Sequence, residues 1–297
     1  MKSDFRQLYP FQSRWLPVNG HRCHYVDEGR GEPILMLHGN PTWSFYFRHL
    51  IAELSAHYRV IAPDHIGCGL SDKPPPHAYG YRLADRVADV EDLMRQAGSN
   101  APITLVVHDW GGMIGLAFAL RHLDKIQRIV ITNTSGFLPP AGKPIPLRLR
   151  LIRNFDGFAE PAVLGLNLFA RAAVVMAPRR RLPRAARQGL LAPYDRPKHR
   201  IATLRFVQDI PLSVGDPSYP LVKYVDDNLH RLRHLPMLIC WGRHDFVFDL
   251  DYYAEWQRRF PDAEAHLFDH AGHYLLEDEP RAVADIIRHF LQRHTAE

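Results

Sequence analysis

Apolar residues recur along this chain in short uninterrupted runs, each of which ends in a polar residue or a glycine. Because the runs do not alternate with polar positions, they predict strands that are buried on both faces, which is typical of a parallel sheet. Six strands are predicted in this way, at residues 33–38, 59–64, 103–108, 128–132, 237–241 and 265–268.

Segments with helical periodicity lie between these strands. They are predicted at residues 43–58, 83–97, 112–122, 250–259 and 280–293. Near the start of the chain, residues 15–18 and 22–27 alternate apolar and polar side chains instead, which indicates an antiparallel hairpin at the edge of the sheet. The order of elements therefore predicts an α/β fold in which a mostly parallel, eight-stranded sheet carries helices on both faces.

The regular alternation stops between residues 139 and 235. This window holds half of the 24 prolines, and we count 17 Lys and Arg in it against 7 Asp and Glu, whereas the whole chain has a net charge of only +5. A shift in composition of this size marks an insertion. We therefore predict a core at residues 1–138, a helical cap at 139–235 and the second part of the core at 236–297.

Composition excludes several classes of protein. Over 297 residues the apolar fraction is 46% and the charged fraction 23%, as in ordinary globular enzymes. The modest charge, without long Lys/Arg blocks, argues against nucleic-acid binding. No segment resembles a transmembrane helix or a signal peptide. Three widely spaced cysteines, Cys23, Cys68 and Cys240, suit a reducing compartment, so we expect a soluble cytoplasmic protein.

The chemistry is expected at strand ends, since ligands of an open parallel sheet bind beyond its carboxyl edge. Strand 103–108 runs directly into a helix through Asp109, Trp110 and two glycines. This pattern is that of the nucleophile elbow of α/β-hydrolases, which usually holds serine at its exposed corner. Here Asp109 occupies the corner. Taken alone, Asp109 would equally serve as the N-cap of the following helix.

A second strand end offers groups that such a nucleophile needs. The turn His38-Gly39-Asn40-Pro41 follows an earlier strand, where α/β-hydrolases place one backbone N–H of the oxyanion hole. The residue after the nucleophile supplies the other N–H. The candidate donors are therefore the amides of Asn40 and Trp110, although a plain Gly/Pro turn would have the same sequence.

In α/β-hydrolases the nucleophile, the acid and the histidine follow one another in chain order. Asp245 and His273 each follow a late strand of this chain. Asp245 would orient His273 by accepting its N–H, and would stabilise the imidazolium. His270 competes for the role of the base and Asp249 for that of the acid. We favour His273 because it lies after the last strand, and Asp245 because it lies closer to its strand end.

Five motifs, in this order, resemble the haloalkane dehalogenase family of α/β-hydrolases over nearly the whole chain. They are HGNP, APDHIGCGLSDKP, VVHDWGGMIG, WGRHD and DHAGHYLLEDEP. Within that family, the ITNT motif at residues 131–134 and the cap segment at 192–212 are similar to the β-lactone decarboxylases of bacterial olefin biosynthesis, relatives often grouped as the third subfamily. The resemblance implies an α/β-hydrolase fold with an inserted helical cap.

Single residues separate the chain from neighbouring families. Epoxide hydrolases resemble HG-aromatic-P where this chain has Asn40, and fluoroacetate dehalogenases carry arginine where it has Trp110. Ordinary esterases need serine or cysteine in place of Asp109. The second dehalogenase subfamily places a glutamate acid after the sixth strand, where Asn133 and Thr134 follow in this chain. The resemblance therefore leaves Asp245 as the acid.

A carboxylate nucleophile favours reaction at saturated carbon, because it is already ionised at neutral pH and needs no base. The product is an alkyl ester of Asp109. Water activated by His273 would hydrolyse that ester while the Asn40 and Trp110 amides hold the oxyanion. The side-chain amide of Asn40 and the indole of Trp110 would hold the departing anion. Trp110 would otherwise be a core aromatic residue.

Two reactions share this first step. A β-lactone would be opened by Asp109, either at its alkyl carbon or at its carbonyl to give an anhydride, and would lose carbon dioxide to give an olefin. The resemblance in the cap favours this reaction. A haloalkane would lose halide, and hydrolysis would give an alcohol. A catalytically silent binding module is disfavoured because all the expected residues are present. No cofactor and no metal is expected, because no cluster has metal-ligand spacing and no phosphate loop follows a strand.

The expected ligand is a small hydrophobic substrate. Six arginines crowd one part of the cap beside apolar segments: Arg171, Arg179, Arg180, Arg181, Arg184 and Arg187. They form either a plain solvated surface or a contact with an acidic protein or an anionic membrane. We expect association through this basic cap, with a second copy of the chain or with the enzyme that supplies the substrate.

Overall fold

The computed structural model describes residues 5–98, 101–140 and 143–294. The outermost ends of the predicted core, at 1–4 and 295–297, and residues 141–142 of the predicted cap lie outside these ranges. The described chain forms one eight-stranded sheet with helices on both faces, which confirms the predicted fold class.

The strands follow the predicted sequence of elements. They are β1 (Ser13–Val18), β2 (His21–Glu28), β3 (Pro33–Leu37), β4 (Arg59–Pro63), β5 (Ile103–Asp109), β6 (Ile126–Thr134), β7 (Met237–Gly242) and β8 (Glu264–Phe268). Their order in the sheet is β1-β2-β4-β3-β5-β6-β7-β8. The pairs β1–β2 and β2–β4 are antiparallel and all the others are parallel. The carboxyl ends of β3, β5, β6 and β7 therefore share one edge.

The helices fill the intervals between strands. They are α1 (Arg48–Leu54), α2 (Leu83–Ala97), α3 (Trp110–Arg121), α4 (Leu147–Asn154), α5 (Asp156–Ala159), α6 (Leu168–Met176), α7 (Arg184–Leu191), α8 (Ile201–Gln208), α9 (Tyr219–Asn228), α10 (Leu250–Arg259), α11 (Leu275–Asp278) and α12 (Pro280–Arg293). A π-helix at Glu160–Gly165 links α5 to the segment before α6. Helices α2, α10 and α12 have the predicted bounds. The helix predicted at 43–58 is shorter, because Ser44–Phe47 forms a 3₁₀ helix and residues 55–58 turn the chain toward β4.

Two apolar clusters cover the two faces of the sheet. One packs α2, α3, α9 and α10 against one face, and the other packs α1, α11 and α12 against the opposite face. Strands β3, β5 and β7 are buried along their whole length, as the uninterrupted apolar runs predict. The prediction of two-sided burial is wrong for β8, which is only half-buried because it forms an edge of the sheet.

Helices α4 to α9 lie between β6 and β7, in the region for which we propose the cap limits 139–235. Asp209, just after α8, ties this region to the core, since its carboxylate accepts hydrogen bonds from Arg82 Nη1 (3.0 Å) and the Leu83 amide (2.8 Å). Within the described ranges no single helix has the length and hydropathy to cross a membrane. Residues Asp156–Gly165 and Leu168–Met176 meet that criterion only when taken together, across a bend of 71°.

Candidate active site

Asp109 stands at the junction of β5 and α3, in the middle of the sheet. Its backbone has φ of +51° and ψ of −128°, which non-glycine residues rarely adopt and which turns the side chain out of the strand. Close packing holds the turn, because a Cβ atom at Gly39 would overlap Oδ1 of Asp109 and one at Gly111 would overlap the carbonyl oxygen of Leu37. The sequence placed Asp109 at an exposed corner, but the side chain is buried, since helices between β6 and β7 lie over it.

Two backbone amides donate to this carboxylate. The Asn40 N–H donates to Asp109 Oδ1 over 2.6 Å, and the Trp110 N–H also donates to the carboxylate. These are the two amides that the sequence assigned to an oxyanion hole. Since Oδ1 is held, Oδ2 is left to face the cavity and His273, whose Nε2 lies 3.6 Å away. The structure therefore distinguishes a held oxygen from a free one.

His273 and Asp245 come together as predicted. His273 Nδ1 lies 2.7 Å from Asp245 Oδ2, so Nδ1 carries the proton and Nε2 points toward Asp109. The other oxygen of Asp245 accepts hydrogen bonds from the amides of Val247 (2.7 Å) and Phe248 (3.0 Å). The carboxylate is thus fully engaged and fixes the orientation of the imidazole.

The two rivals lie elsewhere. The side chain of His270 is exposed on the surface. Asp249 caps α10 by accepting a hydrogen bond from the Asp251 amide, and it also contacts Lys143. Neither residue lines the cavity around Asp109.

Burial and charge act against each other at Asp109 and His273. Burial raises the pKa of Asp109 more than His273 and the two amides lower it. Burial would lower the pKa of His273, but the carboxylates of Asp245 and Asp109 outweigh it, so this pKa is raised. The second effect extends to higher pH the range in which the imidazolium of His273 is favoured.

The side chains of Asn40 and Trp110 both reach the cavity. Asn40 Nδ2 donates one hydrogen bond to the carbonyl oxygen of Thr203 in α8 (3.0 Å), which leaves its second N–H for a ligand. The Trp110 ring packs against Phe206, which also lies in α8, with 5.4 Å between ring centroids. Within the described residues the Trp110 indole has no hydrogen-bond partner. Both groups are therefore placed to donate to an anion.

A cavity of about 330 Å³ extends from these groups into the region of α4 to α9. Its polar side chains include those of Asn40, Asp109, Ser135, Arg148 and His273, and the walls are mostly apolar. Those walls include Met113, Phe137, Leu138, Ile145, Leu149, Ile152, Val163, Leu168, Phe169, Ala173, Val207, Ile210, Val222, Phe246 and Phe248. A site of this kind suits a long apolar ligand whose reacting group lies at the inner end.

Sequence reasoning missed three residues that hold the site. Asn133, with φ of +35°, donates from Nδ2 to Asp245 Oδ2 (2.9 Å) and accepts the Gly242 N–H on Oδ1 (2.9 Å). It therefore braces the acid at the position where a relative would carry an acid of its own. Thr134 donates from its hydroxyl to the carbonyl oxygen of Asp109. The ITNT motif contained both residues, but their partners are distant in sequence.

His108 is the third. Its Nε2 lies 2.8 Å from the backbone carbonyl oxygen of His273, and its ring packs against the His273 ring with 4.7 Å between centroids. Burial, reinforced by the charge of His273, lowers the pKa of His108 well below its usual value. A neutral His108 therefore donates to that carbonyl and positions His273. Within the described residues no group of three or more His, Cys, Asp and Glu could hold a metal ion.

Comparison with known proteins identifies relatives of this chain. Residues 32–280 match the family model of the α/β-hydrolase fold. The chain is 45% identical to the cis-3-alkyl-4-alkyloxetan-2-one decarboxylase of Shewanella oneidensis, over 96% of this chain and 89% of that protein. It is 44% identical to the protein of that name from Xanthomonas campestris, over 96% of this chain and 98% of the other.

Haloalkane dehalogenases are similar at lower identity. The chain is 32% identical to haloalkane dehalogenase 2 of Mycobacterium bovis, over 96% of each chain. Among solved structures, a putative ancestral haloalkane dehalogenase superposes with a TM-score of 0.85 at 25% identity, over 96% of this chain and 100% of the other. Similarity thus extends over the core and the segment between β6 and β7.

Proposed function

The chain belongs to the α/β-hydrolase fold family, among the relatives of oxetan-2-one decarboxylases and haloalkane dehalogenases, and we propose that it converts a cis-3,4-dialkyl β-lactone into an olefin and carbon dioxide in olefin biosynthesis. One observation carries this proposal beyond the similarity. The free oxygen of Asp109 stands at the inner end of a mostly apolar cavity, beside two side-chain donors. An apolar substrate with one small polar ring would place its alkyl chains along the apolar walls and its ring beside these polar groups.

The first step uses the two oxygens of Asp109 differently. Oδ2 attacks the saturated ring carbon that is bonded to the ring oxygen. The bond between that carbon and the ring oxygen breaks, so the ring opens to a carboxylate. The Asn40 side chain and the Trp110 indole receive this carboxylate. Attack at the lactone carbonyl, giving an anhydride, would need an oxyanion hole for a substrate oxygen, yet the Asn40 amide is already bound to Oδ1. Because the Asn40 amide is occupied, attack at the alkyl carbon is favoured over attack at the carbonyl.

The second step releases the product. The bond between the carboxylate carbon and its neighbour breaks, and its electron pair forms the carbon–carbon double bond. The bond to Asp109 breaks at the same time, so the aspartate leaves with its own electron pair. Carbon dioxide and an olefin result, with no water consumed and Asp109 regenerated.

A specific observation favours haloalkane hydrolysis as the second candidate. The pair of His273 and Asp245 is built to deprotonate a water molecule, with Nε2 facing Asp109. Halide displacement would give an alkyl ester of Asp109, and hydrolysis of that ester would need this base. The olefin-forming sequence does not.

Product analysis separates the two reactions. We expect incubation with a cis-3,4-dialkyl β-lactone to give olefin and carbon dioxide, and incubation with a bromoalkane to give far less bromide per enzyme. Gas chromatography of the olefin and ion chromatography of bromide are the measurements. Bromide release without any olefin would reverse the assignment. Heat-inactivated protein gives the spontaneous rates for both compounds.

We also propose association through the basic cap, with a second copy or with the enzyme that forms the lactone. Arg179 and Arg180 bind the core through their backbone amides, which donate to Asp278 and leave the Arg179 side chain exposed. Exposed charges interact over about 8–10 Å at physiological salt, so association should weaken as salt rises.

Sedimentation velocity at low and high salt tests this association. We expect wild-type protein, alone or mixed with the lactone-forming enzyme, to associate at low salt. The variant Arg179→Glu/Arg180→Glu/Arg181→Glu should not. Arg14→Glu/Arg30→Glu/Arg281→Glu is the matched control, since these arginines are exposed outside the cap. Identical monomeric profiles in every sample would mean that the basic cap is only a solvated surface.

We propose the cytoplasm as the compartment. Cys23, Cys68 and Cys240 are all buried and free. Buried thiols of this kind need no oxidising environment.

A further inference from the structure

An apolar surface surrounds the outer end of the cavity. Six large apolar side chains of α5, α6 and the links beside them are exposed, and we call them the mouth face: Phe155, Phe158, Leu166, Leu168, Val175 and Met176. The most exposed, Val175, Leu166 and Phe155, have 67%, 62% and 58% of their surface accessible. Single exposed apolar residues are ordinary, but a group on consecutive helices marks an interaction surface.

The mouth face is continuous with the cavity. Phe158, Leu168 and Met176 are exposed and also line it. An apolar path therefore leads from the outside of α5 and α6 to Asp109. A shallow groove beside Phe155 and Phe158 extends the same surface outward.

Positive charge accompanies the mouth face. The segment from α4 to α6 carries four arginines against two acids. Arg150 on α4 and Arg171 on α6 are exposed, and neither forms an ion pair within the described part of the chain. Arg153 is neutralised by Asp216 at 2.6 Å, and Asp156 accepts a hydrogen bond from Gln208. Within the described residues three arginines of this segment, Arg148, Arg150 and Arg171, thus remain without an ion pair against the two acids Asp156 and Glu160, so the segment keeps a small positive charge.

We propose that the mouth face docks on an anionic phospholipid surface. Apolar side chains on short amphipathic helices bury in the headgroup region, while flanking arginines attract acidic lipids. Helices α4, α5 and α6 and the links between them supply both groups beside the cavity. A protein partner would have to match an apolar surface that opens onto a cavity, whereas lipid chains fit it in any register.

Docking of this kind gives the substrate a route. If the substrate is the long-chain lactone of the proposed function, it resides in the bilayer and enters the cavity along the mouth face without crossing water. Only this consequence rests on the proposed function. The docking itself rests on exposure, charge and the open cavity.

Vesicle co-sedimentation tests the docking without any turnover. We expect the full chain to sediment with vesicles of phosphatidylglycerol and phosphatidylcholine at least tenfold more than with phosphatidylcholine alone. The variant Phe155→Ser/Leu166→Ser/Val175→Ser should lose at least tenfold in binding, because none of these residues lines the cavity but all lie on the face. Arg150→Glu/Arg171→Glu should lose the preference for phosphatidylglycerol.

Two measurements keep the variants interpretable. Leu70→Ser changes an apolar residue of 44% exposure far from the mouth face in sequence, and should bind vesicles as the wild type does. The apolar triple variant should retain its circular dichroism spectrum and its rate on a short-chain, water-dispersed substrate. A rate that falls only with vesicle-borne substrate would support the docking.

Three outcomes would overturn the docking. The first is absence of vesicle binding by the wild type, and the second is equal binding by the triple variant. The third is a dimer of the wild type that the triple substitution abolishes, which would make the mouth face a contact between copies. Vesicle binding without olefin formation would instead leave the docking standing and defeat the proposed lactone reaction.

Discussion

Replacing Asp109 with alanine should abolish turnover, with a fall in kcat of roughly 10⁴-fold or more. In the proposed reaction Oδ2 of Asp109 makes the bond to the substrate, and the neighbouring groups only position it or receive charge. Asn40 and Trp110 would still bind an anion, which accounts for any residual rate above that in water. Turnover of the true substrate is the measurement.

The fold should survive this change. Burial raises the pKa of Asp109, so its ionised form is disfavoured where it stands, and removing it relieves that penalty. The Asn40 amide loses an acceptor, but it borders a cavity that water can enter. Circular dichroism and thermal unfolding check that the variant is native-like.

Asp249→Ala is the matched control for the nucleophile. Asp249 also lies between a strand and a helix, β7 and α10, but it caps α10 and does not line the cavity. Its loss should cost about 1 kcal/mol of stability, the usual worth of an N-cap, and should leave turnover unchanged. Appreciable turnover by Asp109→Ala, or inactivity of Asp249→Ala, would contradict the assignment.

The sequence predicted those parts of the fold that depend on local pattern. Uninterrupted apolar runs identify β3, β5 and β7 because both faces of these strands are covered. The same rule misjudges β8, since an edge strand differs from a central one in its neighbours and not in its composition. Position in the sheet is a property of the whole topology.

The candidate site divides in the same way. Asp109, Asp245 and His273 could be predicted because each follows a strand, and strand ends of a parallel sheet converge. Asn133 and His108 could not, because their contacts join residues that are more than 100 positions apart. The burial of Asp109 was missed because helices between β6 and β7, distant in sequence, form the wall above it.

The second large effect concerns His273→Ala. With a bromoalkane, this variant should accumulate a covalent alkyl ester on Asp109, because displacement of bromide needs no base whereas hydrolysis of the ester does. Loss of a general base slows such a step by roughly 10²–10⁴-fold. Mass spectrometry of the intact protein should show the added alkyl group, and peptide analysis should place it on Asp109.

With the β-lactone, the same variant should accumulate no stable adduct. Loss of carbon dioxide expels Asp109 without water, so the absence of the base removes nothing that the second step requires. His270→Ala is the control, since that histidine is exposed and lies three residues away. It should give no adduct with either compound. A hydrolysable adduct from both the lactone and the bromoalkane would contradict the water-free step.

The pH dependence of ester hydrolysis gives an independent check on His273 in the wild type. Asp245 and Asp109 together raise the pKa of His273 in the free protein, against the effect of burial. Hydrolysis requires neutral imidazole, so its rate should fall as the pH drops through this pKa. Esterification removes the negative charge of Asp109, and with it one of the two contributions that raise the pKa. The inflection for hydrolysis of the ester should therefore lie at lower pH than the pKa of His273 in the free protein, measured by NMR titration. An inflection at equal or higher pH would mean that Asp109 is not the esterified group, because its charge would then still be acting on the imidazole.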